Sequence, residues 1–203
     1  MKLIYGTGNP AKLAHMRNCL SPLGLEIVGL ADVACDIGVV EESGAHPLDN
    51  ARIKAWAYYR ELRLPVFSCD SGLYIEGLPT QEQPGVHVRT VGGVRLSDAQ
   101  MVEHYLGIAR HMGGRAVARY RNAVCLVLDE HMSFEYFGED IASKRFLLVA
   151  EPHPLRTPGF PLDSLSARLD TGKYYNDSQD DTDAEEDTQA DGFRRFFRES
   201  LRL

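Results

Sequence analysis

The chain has 203 residues, 44% of them apolar, and 22 Lys and Arg against 29 Asp and Glu give a formal charge of −7. Eight of the acids fall between Asp177 and Asp191 with no Lys or Arg among them, leaving a body of 21 acids and 22 bases. A near-neutral body without a basic block excludes a nucleic-acid binder driven by phosphate-backbone charge. No apolar run approaches the ~20 residues that cross a bilayer, while the apolar share supports a real core in one domain over residues 1–203.

Lys2 to Tyr5 is a β-prone run that ends at Gly6-Thr7-Gly8-Asn9-Pro10, too soon for a signal-peptide apolar region. Leu13, Met16, Arg17 and Leu20 then recur at helical spacing over Ala11 to Leu20, and Leu25 to Leu30 reads as a second strand. The opening is therefore β-turn-α-β, which predicts an α/β protein. Asp49 to Leu62 is an Ala- and aromatic-rich helix, Val66 to Cys69 a short strand, and Asp98 to His111 another helix. Ala116 to Leu128 reads as a long strand, followed by β-rich stretches at Ser133 to Phe137 and Arg145 to Val149. Pro152, Pro154, Pro158 and Pro161 impose an extended loop; the acidic run over 177–191 is low in complexity and expected to be mobile. Phe193 to Leu203 closes as a basic-aromatic helix, with Phe193, Phe196 and Phe197 forming a core-facing stripe.

The four cysteines (Cys19, Cys35, Cys69, Cys125) include no CxxC pair, which argues against zinc and for reduced thiols in the cytoplasm. The seven histidines show no ligand spacing. Three segments carry chemistry-bearing residues. In Gly6-Thr7-Gly8-Asn9-Pro10-Ala11-Lys12, between a strand and a helix, glycines let the backbone approach an anion and Lys12 adds a charge; an ordinary βα turn is the alternative. Cys69-Asp70-Ser71-Gly72 follows a strand, where open α/β sheets bind ligands, so Asp70 is a candidate to ligate a hard cation or take a proton from water. Glu41-Glu42-Ser43-Gly44 offers adjacent carboxylates to magnesium, with Lys54 on the helix that follows.

The order and spacing of these motifs resemble the inosine/xanthosine triphosphate pyrophosphatase family, hydrolases of non-canonical purine nucleotides. The resemblance rests on Thr7-Gly8-Asn9 with Lys12, Glu41-Glu42-Ser43-Gly44, Asn50-Ala51, Lys54-Ala55, Asp70-Ser71-Gly72-Leu73, Pro84-Gly85 and Ala118-Arg119-Tyr120. It implies an elongated mixed sheet flanked by helices, two lobes around a central cleft, and a cytoplasmic homodimer. It also implies magnesium-dependent cleavage between the α and β phosphates, giving a nucleoside monophosphate and pyrophosphate. Carried over by position, Thr7, Gly8, Asn9, Lys12 and Lys54 would hold the triphosphate, Ser71 would contact substrate, and Glu41 or Glu42 with Asp70 would hold Mg2+. Asp70 would activate the water, and Gly159, Phe160 and Asp163 would contact the base.

The chain departs from that pattern at Cys69, where the family carries a second acid before Asp70, and at Pro161 and Leu162, where it carries Gly and Tyr. The family's Lys falls on Glu185 and its base-reading Ser-His-Arg on Gln189, Ala190 and Asp191, so the basic readers are absent and acids stand in two of their places. These departures motivate an altered base preference. The alternatives are a catalytically weak or inactive nucleotide-binding relative, or an acidic module that binds a basic partner through residues 177–191.

Overall fold

A computed structural model describes residues 1–33, 38, 40–177 and 188–203. Most of the acidic run, including Glu185, and Cys35 lie outside the described residues. Nine strands and four helices are described: β1 (Lys2–Tyr5), α1 (Pro10–Leu20), β2 (Glu26–Gly29), α2 (Pro47–Leu62), β3 (Val66–Ile75), β4 (Thr90–Val91), β5 (Val94–Arg95), α3 (Asp98–His111), β6 (Arg115–Val127), β7 (Ser133–Tyr136), β8 (Phe146–Val149), β9 (Ser166–Arg168) and α4 (Thr188–Leu201). The main sheet has the order β2-β1-β3-β6-β8-β9, with β7 also on β6, and is mixed as expected.

By contacts the chain divides into two compact units. The first contains Met1–Gly72, Arg121–Ser143 and Glu186–Leu203; the second contains Leu73–Tyr120 and Lys144–Glu185.

In the first unit β1 runs parallel to both neighbours, with Leu3 opposite Ile27 and Tyr5 opposite Phe67. Alternation along these strands sends side chains to two buried faces. Leu3, Tyr5, Phe67 and Cys69 join Met16 and Leu20 of α1 and Phe193, Phe196 and Phe197 of α4. Ile4 and Val66 join Ala51, Ala55 and Tyr59 of α2. The predicted Phe stripe of α4 is thus core, each ring contributing roughly 1.5–3 kcal/mol of burial. Its helix begins at Thr188 rather than Phe193, because Ala190 and Gly192 are buried small residues that let the first turn approach.

In the second unit β6 pairs antiparallel with β8 (Ala118 opposite Phe146), and β8 with β9. Helix α3 lays Met101, Tyr105 and Ala109 onto Leu73, Ile75, Phe146 and Leu148. Its start is fixed by a reciprocal cap in which Ser97 Oγ accepts from Gln100 N and Gln100 Oε1 accepts from Ser97 N.

Two boundaries differ from expectation in ways that matter for the site. Helix α2 starts at Pro47, because Pro is well placed in a first turn where its missing N–H costs nothing. Strand β3 continues to Ile75, so Asp70-Ser71-Gly72 lies within the strand and not in a turn after it. Parallel β1, however, ends at Tyr5 opposite Phe67, so Asp70 still stands beyond its neighbour's carboxyl end.

Candidate active site

The first component is the turn between β1 and α1. Gly6 N donates to Phe67 O at 2.8 Å, which presses the turn against β3. A Cβ on Gly6 would run into Ser68 Oγ and the Tyr58 ring, so only glycine permits that approach. At Gly8 the reverse holds: a Cβ would meet nothing within 4 Å, and the residue is exposed. Thr7 Oγ1 accepts from Asn9 N at 3.2 Å, and Asn9 Oδ1 caps α1 by accepting from Ala11 N (2.9 Å) and Lys12 N (3.3 Å). A helix N-terminus ordinarily offers these amides to an anion, yet Asn9 itself satisfies two of them. Thr7 N is likewise engaged, donating to Tyr5 O at 2.8 Å, so of the turn's amides Gly8 N is left to meet an anion, together with Lys12. Burial, with Lys54 adding repulsion, pulls the Lys12 ammonium below the usual lysine range. No carboxylate lies within ion-pair distance of it among the described residues.

The second component joins α2, β3 and the loop before α2. Asp70 shares the Val66 face of β3 by alternation, the face that α2 covers, and α2 presents Asn50 and Lys54 one turn apart. Lys54 Nζ donates to Asp70 Oδ1 at 2.8 Å and to Glu42 Oε2 at 3.0 Å. Asn50 Nδ2 donates to Asp70 Oδ2 at 3.2 Å, and Asn50 Oδ1 accepts from Gly44 N at 2.8 Å. Asp70 and Asn50 are buried and the Lys54 side chain is 12% exposed, whereas Glu42 opens to solvent at 44%. Burial works against the Lys54 ammonium, but Asp70 and Glu42 outweigh it and hold its pKa above the usual lysine value.

The structure brings Lys54, Glu42 and Asp70 into direct contact and sets Lys12 close enough to feel their charges. Glu41 is exposed, with no hydrogen bond or ion pair among the described residues, and half-buried Ser71 points away from Asp70 by alternation. Cys69 lies on the opposite face from Asp70, in the cluster with Tyr5 and Phe67. Burial pushes its thiol up to about 12, so it remains neutral and offers no anionic ligand.

No group of three or more His, Cys, Asp or Glu placed to hold a metal occurs among the described residues. The donor set still suits a hard cation. Two carboxylates already share one positive charge, and magnesium takes one or two protein carboxylates with the remaining sites filled by water and phosphate oxygens.

Asn50 was quoted in the sequence as part of a motif but given no role at the site. Its role is visible only in three dimensions, because its amide links Gly44 and Asp70, which are 26 residues apart in the chain.

The base-contacting candidates belong to the second unit. Gly159 adopts a left-handed φ of 85°, and half-buried Phe160 follows it. Burial raises the Asp163 carboxyl to about 6, partly offset by a hydrogen bond from Thr157. Leu162 is core, packed with Met101, Tyr105 and Leu165. In the first turn of α4, Gln189 Nε2 donates to Ile141 O at 3.3 Å, Ala190 is buried, and Asp191 pairs with Arg194 at 2.7 Å. Packing and local pairing thus engage Gln189, Ala190 and Asp191, the described ones among the four positions aligned with the resembling family's base readers.

The Ham1 family model matches residues 3–142. A dITP/XTP pyrophosphatase of Thermus thermophilus is 36% identical over 176 residues, covering 86% of this chain and 80% of the relative. A structure titled nucleoside-triphosphatase / dITP/XTP pyrophosphatase from Mycobacterium abscessus superposes with a TM-score of 0.61 at 27% identity, covering 86% of this chain and 85% of that one. A HAM1 protein from Coxiella burnetii shares the fold with a TM-score of 0.70 at 21% identity, over 99% of this chain and 96% of that one.

Proposed function

As this chain belongs to the Ham1 family, we propose that it is a nucleoside-triphosphate pyrophosphatase acting on non-canonical purine nucleotides. The observation that carries this reading is the contact of Lys54 with both Glu42 and Asp70 beside the Gly6–Lys12 turn. The resemblance drawn from the motifs and the named relatives support it.

In this reading Gly8 leaves room for a phosphate against the backbone, Thr7 and Asn9 shape the turn, and the Lys12 ammonium, without an ion pair among the described residues, faces the charge. Glu42 and Asp70, with Glu41 beside them, would hold magnesium, which when bound neutralises phosphate oxygens and steadies the leaving pyrophosphate. Asp70 takes the proton of the attacking water, its carboxylate aimed by Asn50. Positioning and charge supply most of such catalysis, and the cluster is built for both.

Base preference is altered from inosine or xanthosine, supported by Leu162 in the core and by the engagement of Gln189, Ala190 and Asp191 in α4. Assembly as a homodimer and a cytoplasmic location complete the reading; no helix among the described residues is long and apolar enough to cross a membrane. The test is pyrophosphate release from a panel of canonical and non-canonical nucleoside triphosphates, with magnesium and with chelator. Release of pyrophosphate only when magnesium is present supports the proposal, and no release across the panel overturns it.

A further inference from the structure

Lys54 stands where two carboxylates converge, and that position has a consequence beyond phosphate contact. Its ammonium touches Asp70 Oδ1 at 2.8 Å and Glu42 Oε2 at 3.0 Å, so the two acceptor oxygens are no farther apart than those contacts end to end. A divalent cation entering between the same carboxylates meets a positive charge at ion-pair distance in a largely buried pocket, where repulsion is weakly screened.

The opposite side of Asp70 is secured independently. Asn50 Nδ2 holds Oδ2, and Asn50 is itself fixed by Gly44 N, so Asp70 keeps its place when Lys54 moves. Lys54 has four rotatable methylenes and a solvent-facing partner in Glu42, which lets the ammonium swing out while its stem stays packed.

We infer that Lys54 is a resident counter-cation that competes with the divalent metal for Glu42 and Asp70, so that metal alone binds weakly and binds well only when a polyphosphate accepts the displaced ammonium. The inference rests on reading this cluster as the cation and phosphate site. It goes further in assigning an order: the metal and the nucleotide enter as one complex, and Lys54 passes from carboxylates to phosphate as they do. Charge balance supports this, because Lys54 offsets half the charge of the two carboxylates before metal arrives and a divalent metal offsets all of it afterwards, while the phosphate gains the ammonium.

The experiment is calorimetric titration of the full chain with magnesium chloride alone, without nucleotide, comparing the parent with Lys54→Met and Lys54→Arg. Lys54→Met exposes both carboxylates to the metal, and the expected result is at least tenfold tighter magnesium binding than the parent. Lys54→Arg retains a cation that can bridge both acids, so its magnesium affinity is expected to be equal to or weaker than the parent's. Lys54→Met should at the same time bind a non-hydrolysable magnesium–triphosphate analogue at least tenfold more weakly. The inference is overturned if Lys54→Met binds magnesium no tighter than the parent, if neither protein binds it, or if Lys54→Arg gains as much as Lys54→Met.

Should Lys54→Met be unfolded in chelator, circular dichroism during magnesium addition reads the same competition. Recovery of the parent spectrum supports the inference, and persistent unfolding at every magnesium concentration overturns it. Turnover plays no part in the metal-alone titration. Failure of the pyrophosphatase reading, seen as no pyrophosphate release by the parent, is thus distinguishable from failure of this one.

Discussion

Asp70→Asn separates chemistry from stability in this site. The substitution keeps the volume of a buried side chain, removes its charge, and replaces one acceptor oxygen with a donor. In the parent, Oδ1 accepts from Lys54 and Oδ2 from Asn50 Nδ2, whose other end is pinned by Gly44 N at 2.8 Å. If the new amide oxygen stays on Lys54, its NH2 faces the Asn50 NH2, and two donors meet in a buried place. Asn50 cannot flip to relieve this without abandoning Gly44 N. The mismatch costs on the order of 1–3 kcal/mol of stability. Loss of the proposed base and metal ligand is expected to lower kcat about 1000-fold, equivalent to about 4 kcal/mol of barrier.

The double variant Asn50→Asp/Asp70→Asn restores the pattern in reverse. Asp at 50 accepts from both Gly44 N and the new amide, so stability should return toward the parent while kcat stays low. Thermal melts report the first effect and pyrophosphate release the second. A single Asp70→Asn protein that turns over within tenfold of the parent, or a double variant no more stable than Asp70→Asn, would refute the reasoning.

Three further outcomes are expected. Gly192→Ala would set a Cβ 2.5 Å from Asp140 O and 2.7 Å from its carbonyl carbon, backbone atoms with nowhere to retreat, so urea melts should show a loss of about 1–3 kcal/mol or more. Phe197→Ala empties a fully buried site between the Phe67 ring, with centroids 4.9 Å apart, and the Phe196 ring at 5.1 Å; a loss of about 3–5 kcal/mol is expected by the same measurement. Asp163 has a folded pKa of about 6 against an ordinary 3.8, so the folded chain holds its proton more tightly. The stability this proton provides is complete below about pH 3.8 and is lost as pH rises through about 6. Asp163→Asn should therefore match the parent in acid and exceed it above pH 6 by on the order of 1–2 kcal/mol, read from melting temperature against pH.

The placement of the turn and of Lys54 was legible because both follow local rules: a glycine turn between strand and helix, with Pro10 near the helix start, and a lysine on the next helix. Asp70 was found for a reason that needed amending. Polar Ser71 and Gly72 read as a turn, but β3 carries them as strand because neighbouring strands supply the pairing that composition alone does not. The Asn50 link was not legible, since it depends on α2 and β3 meeting at a fixed height. Nor was the start of α4, whose first turn is polar and follows an acidic run; only the approach of Asp140 reveals why Gly192 must be small. Periodicity registers large apolar residues well and records little about close approaches between small ones.

Helix α4 is also the last of the described elements to leave the ribosome, and this sets a timetable for the site. Phe67 and Tyr5 lie on the two strands that carry the Gly6–Lys12 turn and Asp70, and their far face is roofed by Phe193, Phe196 and Phe197. Until those residues emerge, the nascent chain has made both components of the candidate site but has two large rings without cover. Chaperone occupancy should therefore persist until Phe193 to Phe197 have cleared the ribosome and then fall abruptly, and a chain interrupted before α4 is a substrate for proteases rather than a slow enzyme.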